Sequence, residues 1–586
     1  TPILISPHDP ARVYVGSQRL WRSDDRGNSW QAVSEDLTGD ENRYELPFIG
    51  RTWSVDALHD NGAMSKFATL TAITESPVAE GVIYVGTDDG RIHATADGGK
   101  SWSQADDLPG VDDTVFVNDM EASVHDADTV YAVVDAHKFG DYSPYVYVSD
   151  DRGEGWESIS GDLPEGVIAW SIQQDHENEN LLFLGAEDGV YFTVDSGEHW
   201  HKIGGAPRIP FRDIKLQRRD GDLVGATFGR GVYVLDDYSA LRALGEDSPG
   251  ETATVFPVRD AWWYIPSVPG QAVGMPTFGS DSFRTPNPAF GAMITYYLPE
   301  QYQTLKDVRT ENEKALRKDG EDIPFPGWDE LTEESYEASP RVLLLVSDSQ
   351  GRPVRWLQAA NAKGSHRTTW DLRLPAPNAV NLEQPEFKPP WVTDPIGPLA
   401  APGTYSAQLY AVSKGTAQAL GNAQSFVVKP VRDAANGVDY AAVAAFQLET
   451  AELARRLAGA SQELSRATTA LTRMQAAAVR TPGVEPALFV RLDEFGTSLQ
   501  KLQARLSGDP VRARLDESTP PSITRRAFGV AAGWNTTQPP TDTQRRDLEL
   551  ARSEFAAVNA DLNALLAGEL AALEKALADA GAPSWR

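Results

Sequence analysis

The sequence contains no cysteine among its 586 residues, which excludes disulfide bonds, thiolate metal sites and a cysteine nucleophile. It has no run of about 18 apolar residues, so we expect no membrane span. No signal peptide is visible, and the chain starts at Thr1 inside a predicted strand, so we expect a processed or truncated piece. Basic residues are few: the sequence has 53 Lys and Arg but 84 Asp and Glu, which gives a net charge of −31. This charge argues against nucleic acid and anionic membranes as partners, and it suits a soluble exported protein or a salt-tolerant one.

One turn pattern is abundant. The motif [Ser/Thr]-x-Asp-x-Gly-x-x-Trp occurs four times, and we call these copies the box turns: residues 23–30, 95–102, 149–156 and 193–200. The Asp can accept backbone N–H bonds within the turn, and the Gly supplies a positive φ. The Trp starts the next strand and can wedge between neighbouring sheets. We therefore predict a structural role, without a ligand, for the four box carboxylates: Asp25, Asp97, Asp151 and Asp195.

The box turns follow short apolar strands at intervals that indicate repeated sheets. Trp156 and Trp200 are 44 residues apart, close to the ~40–45 residues of a four-stranded propeller blade. We predict a mainly β chain in four parts, with an incomplete β-propeller at its start. The propeller has four full blades and a fifth unit that lacks a box turn and a fourth strand. The predicted parts are the propeller at 1–243, a Pro, Gly and aromatic-rich linker at 244–289, a β-sandwich at 290–432 with a polar insertion near 300–340, and a helical bundle at 433–586.

The repeated motif resembles the Asp-box, or BNR repeat, of sialidases, sortilin-type receptors and two-propeller xyloglucanases. The stretches 364–372 and 401–405 resemble the immunoglobulin-like module of flagellar hook-capping proteins. The whole order is similar to that of exported bacterial Asp-box proteins described as sortilin-like or glycosyl-hydrolase-like. The resemblance implies a periplasmic, cell-surface or secreted location. It also implies upstream propeller blades, on the same gene product or on a cleaved partner chain, because five units lacking one strand should not close a ring.

Candidate site residues come from the insertions and from the loops between second and third strands. Glycoside hydrolysis needs two carboxylates about 5–9.5 Å apart, for which Asp88, Asp89 and Asp141 are candidates. Candidate ligand-binding residues are Trp53, His137, Asp141 and Tyr142. Because such loops of adjacent blades emerge at one end of a propeller, we expect an acidic, aromatic pocket there. It would suit a neutral sugar or a basic peptide better than sialic acid or phosphate.

Two further motifs are weaker. Arg208-Ile209-Pro210 echoes the Arg-Ile-Pro motif of sialidases, but it follows the last box turn instead of preceding the first, so we expect no sialidase. His199 and His201 share one face of a strand, and no third ligand for zinc is evident. We therefore predict no metal and no cofactor.

Two functions remain open. The residues favour a sortilin-like propeller for ligand or protein binding or for assembly, with a glycan or a peptide as ligand. The alternative is a glycoside hydrolase acting on a neutral polysaccharide through a carboxylate pair. Whether the protein is an enzyme stays open at this point.

Overall fold

A computed structural model describes residues 1–584 except 48–49, 58–66, 112–114, 246–249, 267–284, 286, 383–386, 388, 390–393, 432–436, 532–533 and 535. The chain divides into two compact units, Thr1–Glu251 and Thr252–Arg586. In the described parts of both units, no helix is long and apolar enough to cross a membrane.

The first unit is a succession of five small antiparallel sheets, each formed by consecutive strands. Four sheets have four strands each: β1–β4 at Ile3–Ile5, Val13–Gly16, Leu20–Ser23 and Gln31–Ala32; β5–β8 at Leu70–Glu75, Ile83–Thr87, Ile92–Thr95 and Ser103–Gln104; β9–β12 at Phe116–Ala122, Val130–Ala136, Asp141–Ser149 and Glu157–Ser158; β13–β16 at Ala169–Gln174, Leu182–Ala186, Gly189–Thr193 and His201–Lys202. The fifth has three: β17–β19 at Phe211–Gln217, Asp222–Thr227 and Val232–Leu235. The absence of a fourth strand in the fifth unit, predicted from the sequence, is confirmed within the described residues.

The first strands of neighbouring sheets are tied to one another, which arranges the sheets as propeller blades. Thr71 in β5 donates its hydroxyl hydrogen to the Val117 carbonyl of β9 (2.7 Å). Asn118 in β9 donates to the Ala169 carbonyl of β13 (3.0 Å). These side-chain bonds fasten blade two to blade three and blade three to blade four through their first strands.

Within Thr1–Glu251, the described strand residues at both ends of this row of blades are exposed. On the first blade, Ile3 and Ile5 are 69% and 61% exposed. On the fifth, Val232 and Val234 of β19 are 63% and 52% exposed. Apolar strand residues at these levels are unusual in a folded domain, since covered sheets bury them. The row is therefore an open arc of blades.

The box turns are closed by their own side chains. In the second, the Asp97 carboxylate accepts bonds from the Ser101 hydroxyl (2.7 Å) and from the backbone N–H of Lys100 (2.9 Å). The Thr95 hydroxyl accepts the Gly99 N–H at 3.1 Å. The Ser101 hydroxyl and the other donors hold the pKa of Asp97 well below its ordinary value. The other three box carboxylates accept the same kind of bonds: Asp25, Asp151 and Asp195.

The second unit contains a β-sandwich of two sheets with a shared core. The first sheet has the order β20-β22-β25 and the second β21-β27-β26-β23-β24. Their strands are β20–β27 at Thr254–Val255, Ala261–Trp263, Ala292–Leu298, Arg341–Asp348, Pro353–Ala359, Gly364–Trp370, Gly403–Ser413 and Thr416–Pro430. The immunoglobulin-like assignment stays a prediction from the sequence.

The boundaries differ from the predicted ones in one respect. Residues 244–289 were expected to be a linker, but β20 pairs with β22 and β21 pairs with β27. Trp263 is 6% exposed and its indole N–H donates to the Ala400 carbonyl at 2.8 Å. Short strands that are rich in aromatic residues add to the sandwich because they bury large apolar area against it.

The polar insertion between β22 and β23 forms two helices, α1 at Leu305–Asp319 and α2 at Trp328–Tyr336. Thr304 and Asp307 form a capping box that starts α1. Arg309 joins the two helices through Glu334, with a 2.6 Å contact. The polar insertion predicted near 300–340 therefore contains two helices.

The remaining helices form a bundle with its own apolar core. They are α3–α8 at Tyr440–Val479, Pro486–Ser507, Pro510–Arg514, Ile523–Ala531, Asp542–Leu565 and Ala571–Asp579. Leu492 and Phe555 are 0% and 1% exposed in that core. Thr541 and Gln544 form the capping box that starts α7, directly after Pro539 and Pro540.

Candidate functional site

The loops between the second and third strands of blades two to five meet at one end of the arc. Lys138 in the blade-three loop interacts electrostatically with Asp88 in the blade-two loop and with Asp135. Arg212, at the start of β17, interacts with Glu187 in the blade-four loop and lies 5.6 Å from the Phe228 ring of the blade-five loop. We call this group of loops and strand starts the loop end.

Trp170, near the start of β13, lies at the centre of the loop end and is 5% exposed. The guanidinium carbon of Arg212 lies 3.3 Å from the centre of the Trp170 ring. The His137 ring meets the same indole edge to face, with ring centroids 5.6 Å apart. The indole N–H donates to Glu187 at 2.9 Å. Blades three, four and five therefore each contribute a side chain around one indole.

Asp135 is a buried carboxylate at the end of β10, 3% exposed. One of its oxygens, Oδ1, accepts the His137 backbone N–H at 3.1 Å and contacts the His137 ring nitrogen Nδ1. The other oxygen, Oδ2, is buried and has no hydrogen-bond partner among the described residues. Leaving a buried acceptor unpaired costs about 1–3 kcal/mol, so this oxygen is a place where a ligand N–H or O–H would add stability.

Two cationic side chains at the loop end, Lys138 and Arg212, form no ion pair with a carboxylate of the described residues. The side chains of Lys138 and Arg212 make no hydrogen bond and no ion pair within 4.0 Å to another described residue. The Lys138 ammonium lies 4.6 Å from the Phe116 ring centre. Burial lowers the pKa of Lys138 and of Arg212, while Asp135 acts in the opposite direction on both. A guanidinium that is stacked on an aromatic ring still presents its in-plane N–H groups, so Arg212 can grip a carboxylate.

Asp88 and Asp89 are both 2% exposed, so neither faces solvent at the loop end. Asp88 accepts the Thr69 backbone N–H at 2.8 Å. Asp89 accepts the Gly39 N–H at 2.8 Å and the Thr87 hydroxyl at 2.6 Å. The geometry gives both carboxylates a loop-fastening role.

Asp141 and Trp53 contact other neighbours, and Tyr142 is largely exposed. The Tyr145 hydroxyl donates to Asp141 at 2.5 Å and lowers the pKa of that carboxylate. Tyr142 is 54% exposed. The Arg51 guanidinium carbon lies 3.7 Å from the centre of the Trp53 ring. Among the residues predicted for ligand binding, His137 is the one whose ring contact with Trp170 the structure describes.

Sequence reasoning missed Trp170, Arg212 and Lys138, whereas Asp135 is one of the acidic residues that the sequence offers for a carboxylate pair. Lys138 directly follows His137 in the same loop, and Asp135 lies two residues before His137 at the end of β10, so the sequence already pointed to this stretch. Trp170 and Arg212 sit near the starts of the first strands of blades four and five, a position that carries no motif. Where an acidic pocket was expected, the loop end therefore also carries two cations, Lys138 and Arg212.

The box turn of blade four also brings Asp195, Glu198 and His199 together, with ligand atoms within 4.8 Å of one another. His199 donates through Nδ1 to Asp195 at 2.8 Å. His201, considered with His199 from the sequence, instead has its ring 5.5 Å from that of Phe192. The Asp195 oxygens already accept the turn bonds, so this group is accounted for by the turn.

No family model matches the chain, and no curated protein matches it. Among solved structures, a GH74 xyloglucanase from Xanthomonas campestris aligns at 13% identity over 72% of this chain and 64% of its own, with a TM-score of 0.32. An ancestral GH74 enzyme aligns at 15% identity over 51% of this chain and 36% of its own, with a TM-score of 0.30. YCF48 from Cyanidioschyzon merolae aligns at 15% identity over 41% of this chain and 67% of its own, with a TM-score of 0.26. This chain thus spans less than two thirds of the two GH74 structures, and its function is argued from its own residues.

Proposed function

We propose that the propeller unit is a binding module without catalysis, which holds a carboxylate-bearing peptide at the loop end. This is the sortilin-like function that the sequence resemblance implies, with an acidic ligand in place of the basic or neutral one expected from composition. The observation that carries the proposal is Arg212, a guanidinium stacked 3.3 Å above the Trp170 ring without a carboxylate partner in the described part of the chain.

The chemistry of the surrounding groups supports a peptide. Arg212 and Lys138 supply donors for a ligand carboxylate. The buried Oδ2 of Asp135 supplies an acceptor for a neighbouring N–H. An acidic peptide segment offers a carboxylate and backbone N–H groups within a few ångströms of each other. A simple inorganic anion would leave the Asp135 oxygen unpaired.

The carboxylates of the loop end favour binding over hydrolysis. A glycosidase needs one carboxylic acid and one carboxylate that both face the scissile bond. Here Asp88 and Asp89 are buried against backbone N–H groups, and Glu187 accepts the Trp170 indole N–H. Since these oxygens already hold the loops, we expect no release of reducing ends from neutral polysaccharides such as xyloglucan.

The test is binding of fluorescent peptides that are matched in length and carry Glu, Gln or Lys at the variable positions. We expect the Glu peptides to bind best at about 0.15 M salt, where charges beyond about 8 Å are screened and the net charge of −31 matters less. Replacing Arg212 by Ala should weaken that binding at least about tenfold, which corresponds to about 1.4 kcal/mol.

Arg219→Ala is the matched control. Arg219 follows the other end of the same strand, where it pairs with Asp220, so its loss should leave peptide binding unchanged. Equal binding by the Arg212→Ala variant, or a preference for the Lys peptides, would reject the proposal.

A further inference from the structure

The tryptophans of three box turns dock on the preceding blade in one repeated way. Each indole N–H donates to a backbone carbonyl oxygen of the preceding blade. Trp102 donates to Val33 (3.0 Å), Trp156 to Ala105 (2.8 Å) and Trp200 to Ile159 (2.8 Å). Each acceptor residue directly follows the fourth strand of its blade. These contacts define one interface that recurs along the arc.

The box glycines belong to the same interface. A Cβ on Gly99 would lie 2.5 Å from the Val33 carbonyl oxygen. A Cβ on Gly197 would lie 2.8 Å from the carbonyl oxygen of Ile159. The glycine therefore allows the turn to approach the preceding blade closely enough for the indole to reach the carbonyl.

Ile203 is the next acceptor in this series. Its N–H bonds the Val190 carbonyl at 2.9 Å, just as Ile159 bonds Val146 at 2.9 Å. Its own carbonyl is the position at which a fifth box tryptophan would donate. In the described residues, the fifth unit has no box turn and no fourth strand, so it supplies no such residue.

A cavity of about 260 Å³ lies at that position, between blades four and five. Its lining includes Ile203, Gly204 and Gly205 from blade four and Tyr233, Val234 and Leu235 from β19. The cavity therefore extends from Ile203, whose carbonyl would accept an indole N–H, to the edge strand β19 of the three-stranded sheet.

The edge of β19 shows what a fourth strand would cover. Tyr233 pairs with Gly225, as Val190 pairs with Gly185 and Ile92 with Gly86. In the complete blades this third-strand residue is 4% exposed at Val190 and 0% at Ile92. Tyr233 is 40% exposed. The equivalence makes the Tyr233 carbonyl the expected acceptor for the added strand.

We propose that this edge binds an extended segment that carries a tryptophan. The segment adds to β19 as the fourth strand of blade five, and its indole fills the cavity and donates to Ile203. The assignment rests on continuity with the recurring box interface and is independent of the peptide site at the loop end. Strand addition to a free sheet edge gives affinity through backbone bonds and specificity through a side-chain pocket.

The probe is a fluorescein-labelled peptide that copies residues 193–204 of this chain, which contain a box turn, its tryptophan and a fourth strand. It is compared with the same peptide in which Trp200 is replaced by Ala. We expect the first peptide to bind the full chain at least about tenfold more tightly, because a buried tryptophan is a typical hot spot. Hydrogen exchange should slow at 203–206 and 232–235.

Gly204→Leu in the protein tests the cavity itself, since a Cβ at Gly204 meets no atom within 4 Å and the cavity can take the side chain. We expect at least about tenfold weaker peptide binding. Gly245→Leu is the control, because a Cβ at Gly245 also meets no atom within 4 Å and Gly245 does not line the cavity. This variant should bind the peptide like the unaltered protein. The proposal fails if the peptide does not bind at about 1 mM, if both peptides bind equally, if Gly204→Leu binds normally, or if protection appears elsewhere.

Discussion

The indole N–H of Trp156 donates a 2.8 Å hydrogen bond to the backbone carbonyl oxygen of Ala105, one blade earlier in the chain. Trp30, the equivalent residue of the first box turn, instead donates to Gly27 in its own turn at 3.1 Å. Trp156 is 7% exposed and Trp30 is 42% exposed. The same motif therefore packs between blades only where a preceding blade is present.

This contrast predicts that replacing the box tryptophan by Ala lowers the free energy of unfolding by different amounts in the two turns. Trp156→Ala should lower the free energy of unfolding by about 3–5 kcal/mol, because it removes a buried indole from a blade interface. Trp30→Ala should cost less than about 1 kcal/mol, since its ring is partly in water already. Urea unfolding followed by circular dichroism compares the two. Similar losses would show that the turn, and not the blade interface, determines the contribution of the tryptophan.

The His199–Asp195 pair predicts a stability that depends on pH. The Asp195 hydrogen bond and charge raise the pKa of His199 above 6.5. Burial acts to raise the pKa of Asp195, but bonds from Thr193 and His199 lower it to about 2. The His199 contribution is present below pH 6.5 and is lost as the pH rises through its folded-state pKa. The Asp195 contribution is present above its ordinary pKa of 3.8 and is lost as the pH falls towards 2.

His199→Gln should therefore be less stable than the unaltered protein near pH 5.5, and the difference should shrink at pH 8.5. Urea midpoints at the two pH values measure this. His201→Gln, two residues along on β16, is the control and should not show that change. A constant difference for His199→Gln would mean that the ion pair does not contribute.

A third prediction concerns Asp175, whose side chain is fully buried. It accepts the Tyr238 hydroxyl at 2.8 Å and two N–H bonds from the Arg242 guanidinium, each at 2.8 Å. Asp175→Ala should lower the free energy of unfolding by about 1.5–3 kcal/mol, because it removes charge-assisted hydrogen bonds from Arg242 and Tyr238, while Glu177 still contacts Arg242 at 2.6 Å. Asp213→Ala is the exposed counterpart, whose 3.7 Å contact with Lys215 should be worth under about 1 kcal/mol.

For the Asp175 substitution, hydrogen exchange should speed up at 239–243, which this carboxylate fastens to blade four. Unchanged exchange there, together with a small loss of stability, would contradict the assigned role.

The sequence by itself determined the elements whose signals are local. The box turns close through bonds among residues no more than four positions apart, as with Asp97 and Ser101. The helix start at Asp542 follows from Thr541 and Gln544. The three-stranded fifth unit followed from a missing motif. Such features need only short-range hydrogen bonds and apolar periodicity, which can be read along the chain.

Only the tertiary structure decided what each loop residue faces. Asp88 and Asp89 are acidic loop residues in the sequence, but packing buries them against backbone N–H groups. Trp170 and Arg212 are 42 positions apart and stack because neighbouring blades place their first strands side by side. The cavity beside Ile203 arises where two blades meet without a tryptophan between them. Burial and contacts between blades depend on how separate sheets pack, and a motif within one strand or turn carries no record of that packing.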